Sequence, residues 1–294
     1  MVTVTTVIVE TPTVRTIRFD APEWPGHLPG QHIDVRLTAE DGYQASREYS
    51  IASVPGEPLE ITVQRLDDGE VSSFLTEELR VGDQLEIRGP VGGYFVWSSG
   101  SDPLMLVAGG SGIVPLRSML RHRARTGSEV PARLLYSVRT PADIIYRDEL
   151  DSYDGVTYTF TRQPPPGWTG HTGRVTPEML SEVAWPADRN PIAYVCGPTM
   201  FVETAARELL LPLKYPMERI KTERFGGALR RLVPRPAAPW MSHRWCHTAS
   251  DGTSMGEPTL RATGQAPGRA ASVTPGKHPV RRSADLPRLI VTGA

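Results

Sequence analysis

Three short stretches carry side chains suited to chemistry. Arg47-Glu48-Tyr49-Ser50 offers a cation, a flat ring and a hydroxyl in close succession. An arginine can fork onto a phosphate, a tyrosine ring can lie against a planar heterocycle, and a serine hydroxyl can hydrogen-bond a ring nitrogen. On a strand, alternation puts Arg47 and Tyr49 on one face, as a single ligand requires. The second stretch, Gly109-Gly110-Ser111-Gly112-Ile113-Val114-Pro115, follows an apolar run at 104–108. Glycines let backbone amides approach a phosphate closely, and a helix beginning just beyond adds its N-terminal dipole. Proline stands where the fingerprint Gly-x-Gly-x-x-Gly has its third glycine. It suits a helix's first turn, because its missing N–H would have no intrahelical partner. The third stretch is the turn Cys196-Gly197-Pro198 after another apolar run. A free cysteine alone is more often buried packing than chemistry.

The elements that must hold these groups change character midway. Residues 2–97 read as short antiparallel strands, with period-two apolar spacing at 14–19, 33–37, 59–63 and 85–88. Turn signals recur between them at Pro29-Gly30, Asp41-Gly42, Pro55-Gly56, Asp67-Asp68-Gly69 and Gly82-Asp83. That rhythm predicts a barrel or sandwich, interrupted by one helix over 72–79. The segment Gly69-Glu70-Val71-Ser72-Ser73 leads into that helix. It can offer its amides to an anion, be a helix start capped by Ser72, or do both. From Asp102-Pro103 continuous apolar runs alternate with helical patterns. Strands are expected at 104–108, 132–137, 156–160, 192–196 and 218–225. Helices are expected at 115–125, near Asp148 and at 199–210. This alternation is the parallel α/β pattern, and 98–101 is the expected hinge.

In this order the three stretches resemble the ferredoxin–NADP reductase superfamily, over residues 2–225. The resemblance implies two domains, an antiparallel β-barrel binding FAD over 1–99 and a parallel-sheet α/β domain binding NAD(P) over 102–227. It implies Arg47 at the flavin pyrophosphate, Tyr49 against the flavin ring and Ser50 near its N5, with Gly69, Val71, Ser72 and Ser73 as a second pyrophosphate element. Gly110, Ser111, Gly112 and Pro115 would cradle the pyrophosphate of the nicotinamide nucleotide. Cys196, Gly197 and Pro198 would lie beside the nicotinamide, and Glu223 and Phe225 would bring a carboxylate and a ring near the flavin. Ser50, Cys196 and Glu223 form the expected catalytic set.

Nucleotide preference is set after the second strand of such a domain, where an acidic residue favours NAD and a cation favours NADP. Ser137 and Arg139 stand there, with Arg147 as a second cation, which favours NADPH over NADH; a solvated Arg139 without ligand is the alternative. The resemblance implies hydride transfer from NAD(P)H to flavin, chemistry that the cofactors carry while the protein supplies proximity and tuning. With no Cys-x4-Cys-x2-Cys run for a fused iron–sulfur cluster, the electron acceptor is expected to be separate: a ferredoxin, an oxygenase component or a small molecule. The alternative is a flavin- and nucleotide-binding redox sensor or partner subunit without turnover.

Composition narrows the rest. The 294 residues carry a net charge of −1, which hides an asymmetry. Residues 1–227 hold 22 basic and 30 acidic side chains, whereas residues 228–294 hold 10 and 3. An acidic body argues against nucleic-acid binding. Two cysteines exclude a disulfide framework, and no apolar run approaches the roughly 20 residues that span a bilayer. A cytoplasmic monomer without a metal is expected. Residues 228–294 show no period and are expected to be disordered. They read as a foreign or frame-shifted segment ahead of a natural interaction tail. Their His243-Arg244-Trp245-Cys246-His247 run has no second cluster to complete a metal site.

Overall fold

The computed structural model describes residues 1–39 and 41–225; the expectations for 228–294, including the His243–His247 run, lie outside the described residues. The first half is a six-stranded antiparallel sheet. Its strands are β1 (Val2–Thr11), β2 (Val14–Asp20), β3 (His32–Thr38), β4 (Gln44–Ser50), β5 (Glu60–Gln64) and β6 (Gln84–Val91), in spatial order β4-β3-β6-β1-β2-β5. A bridge from Ile51 to Ile61 ties the end of β4 to β5 and closes the sheet into a barrel. Alternation fills the inside with Ile17, Phe19, Ile33, Val35, Ile61 and Val63. On the outer face, Arg36 pairs with Glu86 and Arg88 with Asp34, both between β3 and β6.

The expected helix over 72–79 begins earlier and changes pitch. It is α1 (Glu70–Ser73), which continues as a π-helical turn over Phe74–Glu78. The Leu79 amide reaches the Phe74 carbonyl at 3.0 Å, a five-residue step. Val71, Phe74 and Leu75 from this segment enter the barrel core.

The second half is a six-stranded parallel sheet. Its elements are β7 (Leu104–Gly109), α2 (Ile113–Arg125), β8 (Ala132–Val138), α3 (Arg147–Leu150), β9 (Val156–Phe160), β10 (His171–Thr172), α4 (Pro177–Val183), β11 (Ile192–Pro198), α5 (Thr199–Leu210) and β12 (Ile220–Phe225). The strand order is β10-β9-β8-β7-β11-β12. Central β7 is covered on both faces, which explains its unbroken apolar run. Leu104, Leu106 and Ala108 pack with Ile113 and Leu116 of α2, while Met105 and Val107 join Leu180, Val202 and Leu209 on the other side. Helix α4 was not anticipated; Pro177 opens it and the Thr176 hydroxyl caps it, accepting from the Met179 amide at 3.3 Å.

A shared core joins the halves. Val14, Ala52, Phe95 and Trp97 of the first half lie in one buried cluster with the inner face of α2. Arg117, 8% exposed, donates to the Ala52 carbonyl at 3.2 Å and to Glu149 at 2.8 Å, and its guanidinium lies 4.2 Å over the Tyr146 ring. Ser118 donates to the Ser53 carbonyl at 2.8 Å. Tyr94 and Tyr194 add bonds to the Ile220 and Val96 carbonyls at 3.1 and 2.7 Å. This seam brings the end of β4 opposite the C-terminal ends of β11 and β12. Among the described residues, no helix is long and apolar enough to cross a membrane.

Candidate functional site

Strands β7 and β8 run consecutively, and the chain then returns to β7's other edge with β11. A crevice at the C-terminal ends of the strands is the usual ligand position in such a sheet. Here it opens between Gly109 at the end of β7, Pro198 at the end of β11 and Val138 at the end of β8. The barrel supplies the opposite wall through Thr13, Val14 and Gln64. The cleft also reaches Gly110, Ser137, Arg139 and Phe225, so five of the residues singled out from the sequence, with Pro198, line one cavity. Its volume, about 190 Å³, lies below the ~300–1,000 Å³ of pockets that enclose a ligand. It fits one end of a nucleotide, not a whole one.

The glycines of the turn do different jobs. Gly110 has φ +55°, the left-handed region, and space around it. Gly112 is required by packing: a Cβ there would stand 2.1 Å from the Cys196 carbonyl oxygen. Pro115 lies in the first turn of α2 and is buried, so it shapes the helix start and does not face a ligand. Arg139 is exposed and its guanidinium has no hydrogen bond or ion pair among the described residues. The acidic residue beside it, Asp143, is occupied: its carboxylate accepts from the Thr140 amide at 2.9 Å and hydroxyl at 2.7 Å.

On the barrel, Arg47 and Tyr49 do share a face, pairing across the ladder with Val35 and Ile33. Burial raises the Tyr49 phenol, and the nearby Arg47 partly offsets it. Arg47 is exposed and donates to the Ser46 carbonyl at 2.7 Å, leaving most of its five N–H groups for a ligand. A half-buried ring beside an exposed guanidinium fits a flat cofactor with a phosphate tail. The segment at 69–73 fits less fully than its sequence suggests. The Val71 side chain is fully buried in the barrel. The Ser72 hydroxyl is internal, accepting from the Leu66 amide and donating to the Gly69 carbonyl, both at 3.1 Å. Gly69, not Ser72, is the capping residue. Only backbone amides and Ser73 are then in a position to meet a phosphate.

Ser50, Cys196 and Glu223 come together. Strand pairing sets Cys196 beside Glu223, and the thiol donates to the carboxylate at 3.9 Å. The Ser50 hydroxyl lies close enough to the same carboxylate to favour its ionised form. Burial and the neighbouring Glu48 push the Glu223 carboxyl up to about 7, against these two contacts. Burial, reinforced by Glu223, holds the Cys196 thiol well above its ordinary value, so it is a neutral donor and no thiolate. Sequence reading missed His32, whose Nδ1 lies 3.8 Å from Glu223 Oε1. It also missed the barrel wall of the cleft at Thr13 and Gln64. Alternation from the Ile33 strand could have put His32 on the face of Ser50, but nothing local links it to Glu223. His32, Asp34 and Glu48 bring ligand atoms within 4.8 Å of one another; Arg88 already holds Asp34.

The matches to known proteins agree with this architecture. Residues 2–96 match the family model of the oxidoreductase FAD-binding domain, and residues 106–207 that of the oxidoreductase NAD-binding domain. The chain belongs to the ferredoxin reductase-like superfamily of FAD- and NAD-binding oxidoreductases. It is 34% identical to ferredoxin–NADP reductase B of Sorangium cellulosum over 228 residues, 73% of this chain and 92% of that protein. It is likewise 34% identical over 239 residues to the glycine betaine monooxygenase reductase subunit of Chromohalobacter salexigens, spanning 75% of this chain and 62% of the relative's length. The FAD/NAD-binding domain of nitric oxide dioxygenase from Vibrio cholerae shares the fold, with a TM-score of 0.69 at 23% identity, covering 77% of this chain and 98% of that one.

Proposed function

We propose that this chain is an FAD-dependent NAD(P)H reductase that passes electrons to a separate acceptor. The reading rests on one observation: Ser50 of the barrel and Cys196 of the sheet converge on the Glu223 carboxylate between the two halves. When bound, FAD and the nicotinamide nucleotide supply the hydride and one-electron chemistry. The chain's own groups bind, orient and hold protons. Arg47 takes the flavin pyrophosphate, with the amides of Glu70, Val71 and Ser72 and the Ser73 hydroxyl beside it. Tyr49 lies against the flavin ring and the Ser50 hydroxyl serves its N5. Gly110 lets the nucleotide approach closely, with Ser111 beside it and Gly197 in the adjoining turn, and Phe225 closes the cleft over it. The Cys196 thiol, kept neutral, shapes the nicotinamide pocket. Glu223, with its carboxyl near neutrality, stores a proton next to it.

The domains run over 1–99 and 102–227 in this reading, and the residues assigned to the site all come from one chain, consistent with a monomer. A reductase subunit of a glycine betaine monooxygenase is among the relatives, which supports an oxygenase component as the acceptor, ahead of a ferredoxin or a small molecule. Among the nucleotides NADPH is preferred. Arg139 is an uncommitted cation at the cleft, whereas Asp143, the carboxylate that could take a ribose hydroxyl, is held by Thr140.

Anaerobic titration of the purified chain with each nucleotide, followed in the visible spectrum, tests the reading. Bound FAD that bleaches with NADPH at lower concentration than with NADH is expected. A yellow protein that neither nucleotide bleaches would leave a binding protein without turnover. Removing a charge-assisted bond worth ~1.5–3 kcal/mol, R139A should raise KM for NADPH at least about 10-fold and leave that for NADH nearly unchanged. Equal effects on both would remove the NADPH preference.

A further inference from the structure

The two walls of the nucleotide cleft belong to different halves. Val14 and Gln64, opposite each other in the β2–β5 ladder, line it from the barrel. Asp143 and Ile145, between β8 and α3, line it from the sheet. One step of strand alternation beyond Val14 and Gln64, Thr16 and Thr62 face each other in the same ladder. Both are buried, and their hydroxyls lie 2.7 Å apart. From the sheet side comes Tyr146, the residue after Ile145, whose hydroxyl crosses the seam and donates to Thr62 Oγ1. At the far end, the Thr16 hydroxyl donates to Glu10 Oε1 at 2.7 Å. Each hydroxyl has one proton to give, so the terminal carboxylate fixes the direction of the chain. Thr16 gives its proton to Glu10 and accepts from Thr62, and Thr62 accepts from Tyr146.

Tyr146 is held in place by more than its hydroxyl. Its φ of 60° and ψ of 35° are left-handed, a region that a bulky side chain enters only when its surroundings impose it. The preceding amide, of Ile145, donates to the buried Tyr136 hydroxyl at 3.4 Å. Arg117 covers the ring, its guanidinium 4.2 Å from the centroid. Burial pushes the phenol up, so Tyr146 remains a neutral donor.

We propose that Tyr146 is a positioning residue for the nucleotide: through Thr62, Thr16 and Glu10 it ties the sheet wall of the cleft to the barrel wall and fixes the opening that the nucleotide enters. The inference rests on the reading of this cleft as the nucleotide site. None of the four linked residues lines the cleft itself, so their effect on a nucleotide passes through their neighbours Val14, Gln64 and Ile145.

Two measurements on the full chain test this. Binding of NADP+ to the oxidised, FAD-loaded protein, followed in the flavin spectrum, gives a Kd without turnover. Y146F removes the hydroxyl alone and should raise that Kd about 3- to 10-fold, the range of one net hydrogen bond, with FAD affinity unchanged. T62V should match it, and T62S, which keeps a hydroxyl, should restore most of the affinity. Y146F should add little in a T62V background. A bond that only stabilised the fold would leave this Kd alone, because a protein of ordinary stability stays folded after losing one. The second measurement needs no nucleotide. In ligand-free protein, amide exchange over 14–16, 62–64 and 143–147 should quicken about 5-fold in Y146F and T62V, with the rest of both halves unchanged. An unmoved Kd in Y146F, a T62S no better than T62V, or unchanged exchange overturns the proposal. If Y146F fails to fold, the Thr62 variants carry both arms. Should the parent protein bind neither nucleotide, the reading of the cleft falls, while the exchange rates still decide whether Tyr146 ties its walls.

Discussion

At the scale of single residues, Arg47 and Glu223 show how an ionisable side chain can be a surface tool or a buried reserve. Arg47 is exposed and, among the described residues, its side chain is bonded only to the neighbouring Ser46 carbonyl, so its worth lies in what it binds. The variant R47A should hold FAD about 10- to 100-fold more weakly, from the ~1.5–3 kcal/mol of a charged hydrogen bond, with unfolding unchanged; flavin fluorescence released on dilution measures it. Full retention would remove Arg47 from the flavin site. Glu223 is the opposite case. Its folded value near 7 lies above the ordinary 4.5, so the protonated form is the one the fold favours. The stability it contributes is fully present below about pH 4.5 and is lost as pH rises through about 7. The gap corresponds to on the order of 3 kcal/mol. Urea midpoints from pH 5 to 8 should therefore fall more steeply for the parent protein than for E223Q, and parallel curves would contradict the burial of this carboxyl.

At the scale of elements, the glycine turn after β7 combines two requirements that its sequence does not separate. Gly110 takes the left-handed conformation beside open space, whereas Gly112 lets the start of α2 press against the end of β11. The contact is with backbone, which cannot rotate away. G112A should force α2 outward and cost ~1–3 kcal/mol, as overpacking does. For a chain of this size each kcal/mol lowers Tm by roughly 2–4 °C, and differential scanning fluorimetry reads it. Nucleotide binding should weaken with it, since the cleft is built on the same turn. An unchanged Tm would mean that the close approach of helix and strand is absent. The strands were legible because alternation and unbroken apolar runs follow directly from burial on one face or two. The π-helical turn over 74–78 was not, because its pitch depends on how Phe74 and Leu75 seat in the barrel.

For the whole molecule, the seam between barrel and sheet determines whether the site exists. Arg117 sits in that seam, bonded to Ala52 of one half and Glu149 of the other, with Glu60 3.9 Å away. Arg121 extends the network to Glu57 at 3.2 Å. Truncating one member of such a buried group leaves the others uncompensated, at a cost of ~3–5 kcal/mol. R117A should show that loss in urea, and its single unfolding transition should separate into two as the halves uncouple. A change under about 1 kcal/mol, with one transition kept, would place the coupling in the apolar contacts of Val14, Phe95 and Trp97 instead.

The order of motifs along the chain determined the two-part architecture and five of the residues that line the cleft. Arg47, Tyr49, Ser50 and Gly110 could be named from local pattern, because strand alternation and turn chemistry act over a few residues, whereas Cys196 and Glu223 were named only through the family resemblance. Which of them meet was set by how the two halves pack. His32 reaches Glu223 and Gln64 reaches the nucleotide cleft across long stretches of chain, and Ser72 turns inward to close its own loop. The reason is physical. Local sequence sets which way a side chain points from its strand, but the distance between two strands of different sheets is set by the core packed between them.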